Sequence, residues 1–250
     1  MSELSKQYGT EERQNELLSM IKKIDMLFMD NGIKYSLCGG SLLGAIRENG
    51  FIPWDDDIDI MMDRENYNKT IGLFSSKNSE ILFGLRREHW IDRIHKRDST
   101  DPNDASIDIF VMDHCPDNAF LRRFKVLVIR TLQGMMKPRP TNDDHSIFYK
   151  ICLWITYILG KPFSMDRKYA WYKAISEIGN KKPARFITGY NDYFNLVVLR
   201  YSGKLMDHFI KHQFEDTELS ITAEYDNYLS TQYGDYMTPP PIEERIPLHI

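Results

Sequence analysis

The clearest chemical signal in this sequence comes from three aspartates in two predicted strands. Asp57 and Asp59 are two positions apart, so in a strand their side chains leave the same face, with Cα atoms about 6–7 Å apart. Asp108 lies between two isoleucines in a second strand of the same character. Carboxylates held this close repel each other unless a proton or a cation intervenes, and Mg²⁺ prefers oxygen ligands. If the two strands are neighbours, the pattern predicts a metal-binding face.

A glycine-rich turn precedes the first of these strands. Gly39, Gly40 and Ser41 follow a predicted strand over residues 33–38 and open a short predicted helix. Glycines let backbone N–H groups approach an anion, and the N-terminus of a helix favours phosphate. The turn and the carboxylates together predict metal-assisted phosphoryl or nucleotidyl transfer. Taken singly, the glycines can form an ordinary turn and the Asp-x-Asp pair a solvated strand edge, so the prediction depends on their combination.

Four basic residues and one tryptophan are candidates for binding a phosphorylated substrate. Arg47 lies in the short helix after the turn, and Arg93, Lys96 and Arg97 lie ahead of the last of these strands. Their charges would neutralise a diphosphate and its leaving group, although a solvated charge run explains the second group equally well. Trp54 is either a platform that stacks on a base or a quaternary ammonium group, or a core aromatic.

The elements needed to hold these residues alternate along the first part of the chain. Apolar positions at helical spacing over residues 17–28 predict a first helix, with Glu11 and Glu12 near its start and Asn31-Gly32 at its end. The predicted strands cover 33–38, 58–62 and 106–112, and the helices between them cover 42–48 and 66–74. From residue 120 onward the periodicity is helical, over 120–132, 147–159, 166–178 and 222–233. The pattern predicts an α+β protein with a mixed sheet, flanking helices and a helical C-terminal half.

The composition is typical of a globular protein and excludes two classes. Of the 250 residues, 42% are hydrophobic and 27% are charged, which excludes wholesale disorder. The net charge of −4 argues against a nucleic-acid coat protein, so nucleic acid is not an expected partner. Three widely spaced cysteines without a Cys-x-x-Cys pair favour a reducing, cytoplasmic compartment.

Two apolar segments raise the question of a membrane. Residues 122–130 and 149–161 combine apolar side chains with flanking Lys and Arg. The longest apolar run, residues 151–160, is too short to cross a bilayer, which takes roughly 20 residues. The polar N-terminal stretch lacks the apolar run of a secretory signal. We expect a cytoplasmic protein in which the two segments are either core helices or an interfacial surface at the inner face of the membrane.

Three stretches of the chain share the motifs of one known family. Residues 39–60, GGSLLGAIRENGFIPWDDDIDI, closely resemble the signature of LicD-family phosphotransferases, which belong to the nucleotidyltransferase superfamily with fukutin and fukutin-related protein. Residues 107–118, IDIFVMDHCPDN, resemble the second acidic strand of that family, and residues 233–245, YGDYMTPPPIEER, its C-terminal signature. The helical middle, about 121–201, matches only in general character.

The resemblance implies a fold and a reaction. We expect a nucleotidyltransferase-like catalytic core over residues 10–115, with residues 116–250 as a mostly helical acceptor-side region of one compact unit. The resemblance also implies dependence on Mg²⁺, or on Mn²⁺ in its place, and a CDP-alcohol donor that releases CMP. The transferred group would be a phospho-alcohol, typically phosphocholine. The acceptor would be a hydroxyl of a cell-surface glycan, such as lipopolysaccharide, teichoic acid or capsule, or of its lipid-linked precursor.

The family's functional positions carry over onto this sequence residue by residue. Gly40 and Ser41 match the Gly-Ser turn that meets phosphate. Asp57 and Asp59 match the metal-binding pair, and Asp108 matches the third carboxylate, as a metal ligand or as the base for the acceptor hydroxyl. Two more acidic residues of the signature are candidates for binding substrate, Asp55 and Asp56.

Several other functions use similar residues. A nucleotidyltransferase would move AMP or UMP from a nucleoside triphosphate with the same core. A metal-dependent glycosyltransferase also holds a sugar nucleotide through Asp-x-Asp, and a haloacid-dehalogenase-type phosphatase uses Asp-x-Asp as nucleophile and acid. A binding module with a decayed metal site is the non-enzymatic alternative. Fold alone does not separate these functions, and choline, ethanolamine, glycerol and ribitol all stay open as the transferred alcohol.

Overall fold

The computed structural model describes residues 3–75, 81–99, 101, 104–140, 147–180 and 183–247. The elements, in chain order, are α1 (Glu3–Tyr8), α2 (Glu11–Asp30), β1 (Ser36–Leu37), α3 (Gly39–Glu48), β2 (Ile58–Asp63), α4 (Arg64–Ser75), β3 (Phe83–Glu88), β4 (Ile91–Lys96), β5 (Ser106–His114), α5 (Ala119–Met136), α6 (Ile147–Gly160), α7 (Met165–Glu177), β6 (Phe186–Gly189), β7 (Tyr201–Ser202), β8 (Phe209–Phe214), β9 (Thr217–Thr222) and α8 (Tyr225–Tyr233).

The chain forms two compact units. The described residues up to Arg86, residues Asp92–Met112 and the described residues from Lys204 onward form the first unit. Residues Arg87–Ile91 and the described part of Asp113–Gly203 form the second. The C-terminal segment therefore belongs to the unit that contains the predicted chemical residues. The division of labour expected around residue 115, with catalysis before it and acceptor binding after it, stays a prediction.

The first unit is built on the mixed sheet that the sequence predicts. The strand order is β1-β2-β5-β4-β3. β1 pairs antiparallel with β2, β2 pairs parallel with β5, and β4 pairs antiparallel with β5. The isoleucines of β2 and β5 are buried on one face, which leaves the alternate positions on the other. The neighbouring placement expected for β2 and β5 is therefore confirmed.

Helix α2 packs its apolar stripe into this unit. Leu17, Ile21, Ile24 and Phe28 recur at helical spacing and are all fully buried. The helix ends at Asp30, where the Asn-Gly pair predicts its end, and Gly32 adopts a positive φ of 61°. Glu11 and Glu12 lie in the first turn, where the helix dipole favours acidic side chains.

The second unit is mainly helical. Helix α5 begins at an N-cap, Asn118, whose side chain accepts hydrogen bonds from the amides of Phe120 and Leu121. Its core includes Ile129 and Met136, which pack with aromatic residues of α7 and the following segment. Helices α5, α6 and α7 confirm the three helices predicted over this region. None of the helices in the described part of the chain combines the length and the apolarity that crossing a bilayer would take.

The predicted helical C-terminal half is wrong over the strands that follow α7. Strands β8 and β9 form an antiparallel hairpin that no turn signal marks in the sequence. Its two-residue turn places Glu215 at a positive φ of 54°, a conformation that Asn-Gly or Asp-Gly would normally announce. The final predicted helix therefore begins later, at Tyr225. The hairpin of β3 and β4 is a further feature that the sequence pattern does not predict.

Candidate active site

One face of the first unit's sheet carries a row of charged side chains. Asp59 of β2 lies directly opposite Asp108 of β5 in the parallel register. Arg93 of β4 lies opposite Asp108 in the antiparallel register. Directly paired residues point to the same side of a sheet, so all three side chains share one face. Nε of Arg93 is 2.7 Å from Oδ1 of Asp108, so the two side chains form an ion pair.

A second pair of carboxyl groups lies in the loop before β2. Asp57 comes directly before the strand rather than inside it, and its side chain is hydrogen-bonded to that of Asp55. Burial raises the pKa of the Asp55 carboxyl well above its usual range, and the negative charges of Asp57 and Asp56 add to the effect. Two carboxylates this close hold a proton between them when no cation is bound. The loop is therefore a place where a cation would replace a proton.

The N-terminus of α3 rests directly on these carboxyl groups. Gly39 has a positive φ of 55°, and a Cβ at that position would lie 3.0 Å from Oδ2 of Asp59. A Cβ on Gly40 would collide with Oδ2 of Asp55. Both glycines are needed because the backbone and the carboxylates approach this closely. The positive end of the α3 dipole thus faces the acidic groups, as an anion-binding helix terminus would.

Ser41 connects the turn to the strand. Its Oγ accepts a hydrogen bond of 2.9 Å from the backbone amide of Asp59, and the side chain is buried. The amide of Cys38 in turn donates to the carbonyl of Asp59 over 3.1 Å. These two hydrogen bonds fix the position of Asp59 relative to the glycine turn. The structure therefore shows a positioning contact for Ser41, and its predicted contact with phosphate stays a prediction.

The loop before β2 that carries Asp55 and Asp57, called the aspartate loop, is held by hydrogen bonds from helix α2 and its N-cap. The sequence analysis did not identify this role. Nε2 of Gln14 donates to the carbonyl of Asp55 over 2.7 Å and to that of Ile52 over 3.2 Å. Thr10 Oγ1 donates to the carbonyl of Pro53 over 2.7 Å. Gln14 is almost fully buried although it lies on the apolar face of α2. The sequence did contain a signal for this role, because Gln14 is a polar residue on an otherwise apolar helix face. A buried amide must find hydrogen-bond partners.

Residues near the C-terminus also contact the glycine turn and helix α3. The hydroxyl of Tyr228 accepts a hydrogen bond of 3.2 Å from the amide of Gly39. Arg47 donates from Nη1 to the carbonyl of Tyr236 over 3.3 Å. The Arg47 side chain is only 7% exposed, and its Nη2 has no hydrogen-bond partner among the described residues. These contacts place residues from α8 onward beside the motif residues of the same unit.

Trp54 was predicted to be either a stacking platform or a core aromatic, and the structure matches neither description fully. It is partly buried, so it is not a core residue. Its ring packs edge-on against Tyr8, with the ring centroids 5.8 Å apart. The guanidinium of Arg245 lies over the ring, 5.1 Å from its centroid, which is cation–π geometry. The indole therefore does attract a cation, and in this structure the cation is an arginine of the same chain.

Three basic residues in and after β4 were predicted to bind substrate, and the structure places one of them, Arg93, on the acidic face of the sheet. Arg93 pairs with Asp108, whereas Lys96 lies three positions further along and points to the opposite face. Nζ of Lys96 lies 2.5 Å from a carboxylate oxygen of Glu16 on α2. Arg97 follows the strand and is exposed. Because the sequence does not predict β4, it could not separate residues that alternate between two faces.

The donor set suits a hard cation without forming a closed cage. In the described part of the chain, no group of three or more His, Cys, Asp or Glu side chains is close enough to hold a metal ion. The side chains of Asp55 and Asp57 are hydrogen-bonded to each other, and Asp59 lies opposite Asp108 in the sheet. Mg²⁺ is commonly bound by one or two carboxylates together with water and substrate phosphates. The residues therefore fit Mg²⁺ held jointly with substrate, and the individual ligands stay a prediction.

Comparison with known proteins places this motif in a family. Residues 32–133 match the family model described as "LicD/FKTN/FKRP, nucleotidyltransferase domain". The matched range contains the glycine turn, the aspartate loop and the three charged residues of the sheet face. Residues 32–133 belong to the LicD family. The resemblance seen in residues 39–60 is thereby confirmed.

Curated relatives extend the similarity along the chain. The protein is 28% identical to the lipopolysaccharide cholinephosphotransferase LicD of Haemophilus influenzae, over 87% of this chain and 87% of that protein. Uncharacterized proteins of Rickettsia typhi and Rickettsia prowazekii are 43% and 48% identical, over 20% and 18% of this chain. These two matches each cover 16% of the relative. The first match therefore includes residues of both units, beyond the LicD domain itself.

Proposed function

We propose that this protein is a phosphotransferase that moves a phospho-alcohol from a CDP-alcohol to a hydroxyl of a cell-surface glycan or its lipid-linked precursor. The observation that carries the proposal is the row formed by Asp59, Asp108 and Arg93 beside the glycine turn, inside a domain of the LicD family. The cholinephosphotransferase activity in the name of the Haemophilus influenzae relative supports phosphocholine as the transferred group and lipopolysaccharide as an acceptor class.

The proposed reaction is an in-line displacement at the β-phosphorus of the donor. The acceptor oxygen forms a bond to the β-phosphorus. The bond from the β-phosphorus to the oxygen that bridges the two phosphates breaks, and CMP leaves. The hydroxyl proton passes to a carboxylate of the site, for which Asp108 is the candidate. Bound at Asp57 and Asp59, Mg²⁺ would neutralise charge that develops on the phosphates.

Groups of the protein itself neutralise the rest of the negative charge on the donor's phosphates. The N-terminus of α3, which begins at Gly39, directs the positive end of its dipole to this site and favours a phosphate group. Arg93 supplies a positive charge on the same face, held in place by Asp108. Arg47 has an Nη2 group without a hydrogen-bond partner among the described residues, which makes it a second candidate for a phosphate oxygen. Positioning and charge neutralisation thus carry the catalysis, as is usual for phosphoryl transfer.

Nucleotidyl transfer from a nucleoside triphosphate is a second candidate, favoured by the description of the matching family model as a nucleotidyltransferase domain. It would use the same turn and carboxylates. The products differ, because nucleotidyl transfer releases pyrophosphate whereas the proposed reaction releases CMP. The released product therefore decides between the two.

The deciding experiment is a measurement of nucleotide release by the purified protein, with and without Mg²⁺. The donors would be CDP-choline, CDP-ethanolamine, CDP-glycerol, CDP-ribitol, ATP, UTP and common sugar nucleotides. We expect Mg²⁺-dependent CMP release from one CDP-alcohol and a loss of at least about a hundredfold in Asp59→Asn. Asp30→Asn, at an exposed acidic residue at the end of α2, is the matched control.

Each other outcome has a definite meaning. Pyrophosphate from ATP or UTP would replace the proposal with nucleotidyl transfer, and UDP or GDP from a sugar nucleotide would replace it with glycosyl transfer. Full activity in Asp59→Asn would refute the assignment of this residue whichever donor is used. An unchanged unfolding temperature in Asp59→Asn would show that lost activity is not lost folding.

A further inference from the structure

Helix α6 exposes an apolar stripe that the proposed reaction does not use. Its large apolar side chains at least half exposed to solvent are Ile147, Ile151, Trp154, Ile155, Ile158 and Leu159. The first five follow the spacing of one helical face and are called the α6 stripe. The helix is anchored at Leu153 and Gly160, which are buried. Exposed apolar side chains grouped on one face of a helix are typical of an interaction site.

Helix α5, which packs against α6, has a second exposed apolar surface. Its first half exposes four large side chains by more than half, Phe120, Leu121, Phe124 and Leu127. Further along, the same helix buries Ile129, Leu132 and Met136 in the core of the second unit. The core therefore accounts for one face of α5 and leaves the other open.

The charged side chains within these two helices are all basic. Neither α5 nor α6 contains an acidic residue. Arg123 of α5 and Lys161 at the end of α6 are exposed, and Lys150 lies within α6. Lys125 is different, because it is buried and its Nζ donates to three backbone carbonyls. Each helix therefore combines exposed apolar side chains with basic residues and contains no acidic residue.

Aromatic residues complete the pattern. Trp154 and Tyr157 pack edge to face with their ring centroids 6.0 Å apart. Nζ of Lys161 lies 5.0 Å from the centroid of the Tyr157 ring. Tryptophan and tyrosine favour the boundary between hydrocarbon and water, and long basic side chains reach outward from it to anionic groups. This combination is typical of helices that lie in a membrane interface.

We propose that the exposed apolar surfaces of α6 and α5 bind the surface of an anionic lipid bilayer, with α6 lying in the interface. A helix of 14 residues is too short to span a bilayer, which takes roughly 20. Charge argues for lipid over a second copy of the chain, since two copies of this basic face would repel each other. The proposal is independent of the transfer reaction and is tested without turnover.

The test is flotation of the purified protein with phosphatidylcholine vesicles, with and without phosphatidylglycerol. We expect binding to the anionic vesicles that falls at high salt. Ile158→Glu should weaken it by more than about tenfold, because it places a charge in the apolar stripe. Met26→Glu is the matched control, because Met26 is 55% exposed and Ile158 is 56% exposed, each on a helix. The control should bind as the unchanged protein does.

Two further measurements examine the mechanism of binding. Lys150→Gln and Lys161→Gln should each reduce binding to anionic vesicles by roughly fivefold and leave binding to neutral vesicles unaltered. Trp154 fluorescence should shift to shorter wavelength when anionic vesicles are added, and Trp154→Phe should lose that shift while the other tryptophans remain.

The outcomes that would overturn the proposal are equally specific. Absence of the folded protein from the floated vesicles would overturn it, with folding checked by circular dichroism. Equal loss of binding in Met26→Glu and Ile158→Glu would show that the α6 stripe is not the contact. A dimer in sedimentation velocity that Ile158→Glu dissociates, without vesicle binding, would assign the surface to a second copy instead.

Discussion

The sheet face of the first unit and helix α6 of the second unit treat their side chains in opposite ways. On the sheet face, Arg93 pairs with Asp108 and Ser41 accepts from the amide of Asp59. Behind the loop, Gln14 holds the carbonyl of Asp55. On α6, the large apolar side chains of the stripe extend into solvent. The sheet face is held by polar contacts within the chain, whereas α6 exposes apolar side chains to water, which is unfavourable unless a partner covers them.

This difference indicates two kinds of ligand. Hydrogen bonds and ion pairs are directional, so a site that uses them must be held in place before substrate arrives. Apolar burial is non-directional and roughly proportional to area, so a surface that uses it needs exposure more than exact geometry. The sheet face accordingly suits a small charged donor, and α6 suits an extended surface.

The largest expected effect in this comparison is on activity at the sheet face. Arg93→Gln should lower the rate of CMP release by about a hundredfold, because it removes a preorganised positive charge beside Asp108. Lys96→Gln is the control, since Lys96 lies on the opposite face and pairs with Glu16. Steady-state kinetics of both variants would check this. Equal losses would show that the basic residues act by overall charge rather than by position.

The next effect tests how tightly the glycine turn rests on the acidic groups. Gly39→Ala and Gly32→Ala both place a side chain at positive φ, which costs about 1–2 kcal/mol of unfolding free energy. Only at Gly39 would the added Cβ lie 3.0 Å from Asp59, whereas Gly32 has open space. Gly39→Ala should therefore be about 1 kcal/mol less stable than Gly32→Ala in urea unfolding. Equal stabilities would mean that the turn and Asp59 do not press on each other.

A smaller effect concerns the proton shared by the aspartate loop. The folded protein holds the Asp55 proton above its ordinary pKa of 3.8, so this group lowers stability as pH rises from that value through the raised pKa. Without divalent cations, Asp55→Asn should be the more stable protein at neutral pH, and the gain should vanish near pH 3.8. Thermal unfolding across this range would measure it. Added Mg²⁺ should reduce or reverse the gain, and no pH dependence would contradict the shared proton.

The smallest effect is expected on α6 in the absence of lipid. Ile158→Glu should change the unfolding free energy by no more than about 0.5 kcal/mol, because the side chain is exposed. Chemical denaturation without vesicles would measure this. A loss of several kcal/mol would show that Ile158 stabilises the fold, and the contrast between the two regions would then disappear.

Much of the fold follows from local pattern. The Asn-Gly end of α2 and the alternation of β2 and β5 each appear in a few neighbouring residues, and the structure confirms them. The hairpin of β8 and β9 could not be predicted, because Glu215 adopts a left-handed conformation that its residue type does not indicate. The same limit applies to β4, whose alternation separates Arg93 from Lys96.

The sequence by itself determined the chemical inventory: the glycine turn, the acidic residues and the family to which residues 32–133 belong. These are recognisable because each depends on residue type and short spacing. The tertiary structure decided which groups meet. It pairs Asp59 with Asp108 and Asp57 with Asp55, and it brings Tyr228 to the amide of Gly39. Such contacts depend on strand register and on contacts between residues far apart in the chain, which are decided by the packing of the whole unit rather than by any local pattern.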